Sequence, residues 1–165
     1  MNLKGIDVII RPVAPSDKSR FLDGIQQLSA NTLFLRFLSP IRQLSNSQVD
    51  YLINCDFEDH FAVAVVLDQP SYPGMAVTRY IRSYENPEEA EWAVTVIDKY
   101  QGLGLGRILL YLMNLVCISV NCHVDCLRTR DPRFHCDHPS FESSCFVMDG
   151  GTQGILLANR RRVHA

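Results

Sequence analysis

The sequence predicts an α+β fold, built of mixed α/β layers with a largely antiparallel central sheet flanked by helices. Three runs rich in β-forming residues follow one another across two short turns, at 60–68, 75–83 and 90–98. Short turns between consecutive strands favour an antiparallel meander. Apolar residues then repeat at i, i+3, i+4 and i+7 from Leu105 to Val116, which predicts a helix.

The N-terminal third predicts one strand followed by helical segments. "GIDVIIRPV" at 5–13 is a β-branched run that proline closes. In the next segment Ser16 is the predicted N-cap and Ser39-Pro40 is the stop, with apolar residues at helical spacing between them (Phe21, Leu22, Ile25 and Leu28). A second, shorter helix is expected around Val49, Leu52 and Ile53, with Ser45 or Ser47 as its cap.

Composition sets broad limits on what the chain does. A hydrophobic content of 47% and a charged content of 21% are ordinary for a globular protein. The net charge of −2 gives no support for nucleic acid as a partner, and no uninterrupted apolar run is long enough to cross a membrane. Because the first residues lack the pattern of a signal peptide, we expect a cytoplasmic protein whose six cysteines are reduced.

The stretch "VIDKYQGLGLGRILLYLMNLV" at 96–116 is the strongest functional signal in the sequence. Gly102, Gly104 and Gly106 lie between a predicted strand and a predicted helix. Free backbone N–H groups and the positive helix end converge at such a junction, and glycine lets an anion approach closely. A glycine cluster can also serve only as a turn, but Gln101 in front of it favours binding.

Three phosphate-binding motifs compete for this loop. A Walker A loop requires Gly-Lys-Ser/Thr after a first glycine and four further residues, and no such run exists. A dinucleotide fingerprint fails at its third glycine, because Arg107 and Leu109 occupy the two candidate positions. The pattern Gln/Arg-x-x-Gly-x-Gly/Ala is complete in Gln101, Gly104 and Gly106.

That last pattern resembles the pyrophosphate loop of the GNAT N-acetyltransferases. The resemblance extends over residues 5–117 and includes "IIRPVAPSD", "LSANTLFLRFLSPIRQLS" and "AEWAVTVIDKYQGLGLGRILL", which look like the subgroup of bacterial protein lysine acetyltransferases. We therefore treat residues 1–165 as a single GNAT-like domain, of which 118–165 diverges from the family.

The resemblance implies an N-acetyltransferase that moves an acetyl group from acetyl-CoA to a primary amine. The subgroup suggests a protein lysine as that amine, while a polyamine, an antibiotic or an amino acid would use the same donor loop. Glu91 matches the position of the subgroup's proposed catalytic base, although a strand glutamate is often only solvated. Exposed backbone at Val94 and Val96 would pair with the pantetheine arm. The pyrophosphate would be held by backbone N–H groups of the loop and the start of the helix, namely Gln101, Gly102, Leu103, Gly104, Leu105, Gly106 and Arg107.

The C-terminal region departs from the family pattern. Weak signals predict a strand within 117–127, another at 145–148 and a helix from Ile155 to Arg162. The family's fifth strand, its cofactor-contacting asparagine and the tyrosine that serves as its general acid are not recognisable. A non-catalytic or degenerate acyl-CoA-binding module is therefore the alternative to an active enzyme. Without that strand the preceding one would be an open edge, which a homodimer could cover.

The cysteines and histidines of this region could supply zinc ligands: Cys122, His123, Cys126, His135, Cys136, His138 and Cys145. Their spacing matches no common zinc finger, so we expect no metal site and reduced cysteines instead.

Overall fold

The computed structural model describes residues 1–37, 43–87, 89–119 and 123–124. Six strands form one sheet in sequential order, and every neighbouring pair is antiparallel except the last. The α+β class with a largely antiparallel sheet is therefore confirmed. The strands are β1 (Asn2–Leu3), β2 (Ile6–Pro12), β3 (His60–Leu67), β4 (Gly74–Arg82), β5 (Glu89–Val96) and β6 (His123–Val124).

Four helices cover the two faces of the sheet. They are α1 (Lys18–Gln26), α2 (Ala30–Phe37), α3 (Asn46–Ile53) and α4 (Leu105–Ser119). The main core lies under α4, where Leu109, Met113 and Cys117 pack at i, i+4 and i+8 against the sheet. A smaller cluster on the opposite face joins Ile53 of α3 and Phe21 of α1 to the sheet. Within the part of the chain that the structure describes, no helix has the length and apolarity needed to traverse a bilayer.

The N-terminal helical segment is two helices rather than one. α1 ends at Gln26, and Ser29 caps α2 by accepting the Thr32 N–H at 3.2 Å. The predicted cap at Ser16 is wrong because Pro15–Asp17 forms a 3₁₀ turn in which the Asp17 carboxylate accepts the Ala14 N–H at 3.0 Å. The stop at Ser39-Pro40 lies outside the described residues.

The cap of α3 and the length of α4 agree with the sequence patterns. Ser45 accepts the Gln48 N–H at 3.2 Å, and the Gln48 side chain accepts the Ser45 N–H at 2.8 Å, a reciprocal capping box. The strand predicted within 117–127 is wrong at its start, because α4 continues through Ser119 to keep Cys117 in the core. Of the residues described in that range, the two of β6 form strand. The strand at 145–148 and the helix at Ile155 to Arg162 lie outside the described residues.

A hairpin at the N-terminus was not anticipated. Lys4 and Gly5 connect β1 to β2 with φ values of 50° and 88°, as a two-residue type I′ turn requires. Glycine adopts this backbone conformation freely, whereas lysine pays a small steric cost there. The turn projects the Lys4 side chain toward the far end of the sheet, where it reaches Gly102.

Asp17 ties the start of α1 to the sheet. Its nearly buried carboxylate accepts from Arg11 at 2.6 and 2.7 Å and from Arg20 at 3.0 Å. The hydrogen bond from Arg11 is the main reason that the pKa of Asp17 is lowered, with the Ala14 N–H and Arg20 adding to it against the cost of burial.

We expect Asp17→Asn to destabilise the protein by about 2 kcal/mol at pH 7, since a charge-assisted bidentate pair is lost. Because the folded pKa is depressed, the carboxylate's contribution is full above the unfolded pKa and is lost as pH falls through the folded value. The difference in the free energy of unfolding between wild type and variant should therefore narrow below about pH 4. Urea unfolding at several pH values measures this difference. Asp23→Asn, on the exposed face of α1, is the matched control, and equal losses in both variants would contradict the assignment.

Candidate active site

The pairing of β5 with β4 sorts the residues of β5 into two faces. Glu91 lies opposite Ile81, and Ala93 lies opposite Arg79, so these four side chains share the face that α1, α2 and α3 cover. Trp92 and Val94 point to the opposite face and are buried in the core under α4. Glu91 is therefore separated from its neighbour Trp92 by the sheet itself.

The backbone of β5 is paired fully on one side only. Ile97 donates its N–H to the Met75 carbonyl at 2.9 Å, and since ladder bonds alternate, Val94 and Val96 direct their N–H groups away from β4. On that outer side β6 pairs only with Glu89 and Ala90. Among the described strands none pairs with Val94 there, so in the described part of the chain β5 and β6 meet at one end only.

The glycine loop leads from this edge into α4. Gly102 and Gly104 have φ values of 73° and 90°, which non-glycine residues rarely adopt. Gly104 accepts the first helical bond from the Ile108 N–H at 3.1 Å. The N–H groups of Leu105, Gly106 and Arg107 consequently have no carbonyl partner within the helix and point out of its positive end.

The loop is open to an incoming group. A Cβ atom built on Gly102, Gly104 or Gly106 would meet no atom within 4 Å, so the space above these residues is free. The side chains of Leu103 and Leu105 instead turn toward the core, which leaves their backbone as the part that faces outward. Arg107 is exposed, with its guanidinium 5.7 Å from the centre of the Tyr111 ring.

Three side chains hold the loop in place. Gln101 donates its amide to the Val96 carbonyl at 3.1 Å, so the Gln of the motif fastens the loop to the end of β5. Lys4 donates to the Gly102 carbonyl at 3.1 Å and brings a positive charge to the loop. Asp98, in the 3₁₀ turn Asp98–Tyr100, accepts the Ser29 N–H and the Thr32 hydroxyl, both at 2.9 Å.

Asp98 remains ionised despite partial burial. Burial opposes its negative charge, but the hydrogen bonds from Ser29 and Thr32 outweigh that effect, and the pKa of Asp98 lies below its ordinary value. The carboxylate thus joins the α1–α2 junction firmly to the turn that precedes the glycines.

Glu91 lies at a cavity of about 370 Å³ on the face opposite α4. Its carboxylate is exposed, and no cation of the described residues forms an ion pair with it. The cavity is closed by side chains of α2 and α3 and by the strands, among them Phe37, Tyr51, Leu52 and Ile81. An exposed carboxylate beside an apolar cavity of this size can accept a proton from a small bound group.

Two guanidinium groups line the same cavity, Arg36 of α2 and Arg79 of β4. Arg79 is only 2% exposed and donates to the Leu52 carbonyl at 2.8 Å and to His60 Nε2 at 3.0 Å. Because arginine can only donate, His60 Nε2 must accept, and the imidazole is neutral. Burial, and then the charge of Arg79, lower the pKa of His60 in agreement with this.

The residues predicted from the sequence fall into two groups, one on the cavity face of β5 and one along its outer edge and the loop that follows. Glu91 lies on the cavity face. The backbone of Val94 and Val96 and the loop from Gln101 to Arg107 lie along the outer edge and its continuation. Sequence reasoning missed Lys4, Arg36 and Arg79. Arg36 is part of the segment "LSANTLFLRFLSPIRQLS" that carries the resemblance. No pattern in the sequence indicates that it shares a cavity with a residue of β4.

No group of three or more potential metal ligands occurs among the residues that the structure describes. The cysteine- and histidine-rich stretch from Cys126 to Cys145 lies outside them, as does Cys122. Cys117, near the end of α4, is buried in the core.

Comparison with known proteins points to one family. No family model matches the chain. It is 38% identical over 112 residues to Acetyltransferase Pat of Mycolicibacterium smegmatis, covering 68% of this chain and 32% of that protein. It is 36% identical over 107 residues to Acetyltransferase PA5475 of Pseudomonas aeruginosa, covering 64% of this chain and 57% of that protein. The chain thus spans about a third and just over half of these two relatives.

Solved structures agree on the fold. The GNAT domain of S. lividans PAT superimposes with a TM-score of 0.65 at 22% identity, over 90% of this chain and 87% of that one. A probable acetyltransferase from Staphylococcus epidermidis gives a TM-score of 0.56 at 9% identity, over 71% of this chain and 70% of that one. The sheet, with its glycine loop between β5 and α4, is the GNAT fold. The chain thus contains a GNAT domain of the protein acetyltransferase type.

Two alanine substitutions in the loop should have opposite effects on stability. Gly104→Ala forces a Cβ into a backbone with φ of 90° and should cost about 1 to 2 kcal/mol. Gly106→Ala replaces glycine inside α4, where the Cβ meets nothing within 4 Å, and should stabilise by about 0.5 to 1 kcal/mol. Chemical denaturation of both variants measures the difference. Equal shifts of the same sign would show that the loop does not adopt this backbone.

Proposed function

We propose that this chain transfers an acetyl group from acetyl-CoA to a primary amine, in the manner of an acyltransferase. One observation supports this most directly. A single strand, β5, presents an open backbone edge that runs into an anion-accepting glycine loop, and it also carries a carboxylate on the cavity side. Donor and acceptor would thus meet across one strand.

The donor fits the groups along this edge. The free N–H groups of Leu105, Gly106 and Arg107, with those of Gln101, Gly102, Leu103 and Gly104, would hold the pyrophosphate at the helix's positive end. Lys4 adds a positive charge that no sequence motif indicated. The outward N–H and C=O of Val94 would bond the pantetheine arm, while the Val96 carbonyl already accepts from Gln101. When bound, acetyl-CoA supplies an activated acyl carbon.

The acceptor amine would enter the cavity beside Glu91. An alkyl amine is mostly protonated at neutral pH, so it must first lose a proton to become a nucleophile. We assign Glu91 to take that proton, directly or through one water. The amine nitrogen then bonds to the acyl carbon and gives its second proton to water, the carbon–sulfur bond breaks, and the departing thiolate of coenzyme A takes a proton from water to leave as the thiol. The Val94 N–H is the donor that we assign to the thioester oxygen during attack.

The nature of the acceptor follows from the resemblance rather than from the cavity. A protein lysine is the acceptor that the Pat-type group suggests, and a small free amine would use the same donor loop. We also propose that the protein is cytoplasmic, in keeping with Cys55 and Cys117, which are free thiols. Dimerisation across the open edge of β5 stays a prediction.

A non-catalytic acyl-CoA-binding module is the second candidate. It is favoured by the positions of the described tyrosines, because the one beyond the glycine loop, Tyr111, is exposed on α4 and stacks with Arg107. No general acid is therefore assigned among the described residues. Under this alternative the chain would bind acetyl-CoA and release no thiol with any amine.

Gly106→Glu tests the donor site without straining the loop. The new side chain enters open space, and a carboxylate at a helix N-terminus is favourable for α4. It also places a negative charge where the pyrophosphate would lie, so we expect acetyl-CoA affinity to fall at least about tenfold. Calorimetric titration measures this.

Leu115→Glu is the control for that experiment, since it adds the same charge to an exposed position further along the same helix. Equal acetyl-CoA affinity in wild type and Gly106→Glu would rule out the loop as the pyrophosphate site.

Glu91→Gln tests the proposed base. The amide keeps the shape of the side chain but cannot accept a proton, so turnover should fall by about 10² to 10⁴ while acetyl-CoA affinity is retained. Thiol release with lysine-containing peptides and small amines measures the rate. Glu85→Gln, in the exposed turn before β5, is the matched control. A Glu91→Gln variant that keeps full activity would exclude Glu91 as the base.

A further inference from the structure

The cavity beside Glu91 contains more positive than negative charge. Arg36 reaches it from α2 and Arg79 from β4, whereas Glu91 is the one carboxylate among the described residues that line it. A site built only for a cationic amine would not be expected to carry two guanidinium groups, because they repel an ammonium ion.

Arg79 is the better buried of the two and has no carboxylate partner among the described residues. Its Nη1 is bonded to Leu52 and His60, while its Nε and Nη2 donate to no residue in the described part of the chain. Since His60 is neutral, neither contact supplies negative charge. Burial, and then the nearby charge of Arg36, lower the pKa of Arg79 to about 10. A charged group so deeply buried is normally paired.

Arg36 is similarly short of partners. It forms no hydrogen bond or ion pair with a described residue. Its guanidinium carbon lies 4.9 Å from the centre of the Phe37 ring. Burial lowers the pKa of Arg36, and the charge of Glu91 only partly offsets that effect. Arg36 thus faces the cavity without a hydrogen-bond or ion-pair partner from the described part of the chain.

We propose that Arg36 and Arg79 bind a carboxylate of the acceptor, so that the preferred acceptors are amines that carry an acidic group in the same molecule. This rests on the proposed role of the cavity as the acceptor site. Guanidinium groups suit a carboxylate because their N–H donors match its two oxygens. The ligand's amine would lie at Glu91 and its acidic group at the two arginines.

The register of the sheet supports this arrangement. Glu91 is opposite Ile81, two residues along β4 from Arg79, so the carboxylate and the buried guanidinium lie diagonally on one face. Base and anion-binding group are therefore neighbours without being an ion pair. A cavity of about 370 Å³ is large enough for a small zwitterion.

Capping of α3 is a simpler role for Arg79, since Leu52 lies in the last turn of that helix. That role would account for one donor of Arg79. Arg36 likewise lies in the last turn of its own helix, α2, where a positive charge is favourable. Neither helix-end role requires both guanidinium groups to face one cavity, which they do.

Two matched pairs of probes separate the sources of the carboxylate. Nα-acetyl-lysine and its carboxamide differ only in a free α-carboxylate. The end-blocked tripeptides Glu-Lys-Ala and Gln-Lys-Ala differ only in an acidic side chain beside the lysine. We would measure kcat/KM for acetyl transfer to all four, and binding of all four to the full chain in the absence of acetyl-CoA by calorimetry.

We expect kcat/KM for the acidic member of one pair to be at least tenfold higher than for its neutral counterpart. This ratio should fall toward one in Arg36→Gln and should decrease in Arg79→Lys. Arg36→Gln removes no hydrogen bond between described residues, so this variant should fold even if Arg79 is needed to stabilise α3. Lys18→Gln, which removes a positive charge outside the cavity, should keep the preference.

The outcomes distinguish this inference from the proposed function. Carboxylate-dependent binding that Arg36→Gln abolishes, without thiol release, would support the anion site and refute the acyltransferase. Turnover with no preference in either pair, or a preference that both arginine variants retain, would overturn the anion site and leave the acyltransferase standing. Absence of both turnover and carboxylate-dependent binding would refute both.

Discussion

The one-sided backbone pairing of β5 is the constraint on which the rest of the site depends. The ladder to β4 fixes which side chains of β5 face the cavity and which enter the core under α4. Within the described residues the outer edge is paired at Glu89 and Ala90 alone, by β6. A fully paired β5 would have no backbone groups to offer, and a strand shifted by one residue would turn Glu91 into the core. Register and edge together therefore define both halves of the site.

Hydrogen bonds from the surrounding structure hold the glycine loop in place. Gln101 returns to the Val96 carbonyl, Lys4 reaches the loop from the first hairpin, and Asp98 joins it to the α1–α2 junction. Two glycines at positive φ then give the loop its course into α4. Anchors on three sides hold the backbone N–H groups in position before any ligand arrives, which is the pre-organisation that a binding site needs.

Local patterns allowed much of this to be read from the sequence. The spacing from Gln101 to Gly106, the periodicity of α4 and the capping box at Ser45 depend on residues that are close along the chain. The resemblance gave the position of Glu91, and the register shows which face it occupies. Lys4 and Gly102 are 98 residues apart, and Arg36 and Arg79 come to one cavity only when α2 packs on the sheet. No periodicity or motif encodes such contacts. The single helix expected before Ser39-Pro40 was wrong because Asp98, a distant carboxylate, stabilises the break at Ser29.

The bridge made by Asp98 links the two halves of the site thermodynamically. Its carboxylate lies just before the glycine loop and holds the first turn of α2, the helix that carries Arg36. Because the same carboxylate bonds both Ser29 and Thr32, a shift of α2 around a ligand in the cavity would be transmitted to the turn before the loop. By linkage, each ligand of the proposed site would then change the affinity for the other by the same factor. The two binding steps would be coupled rather than independent.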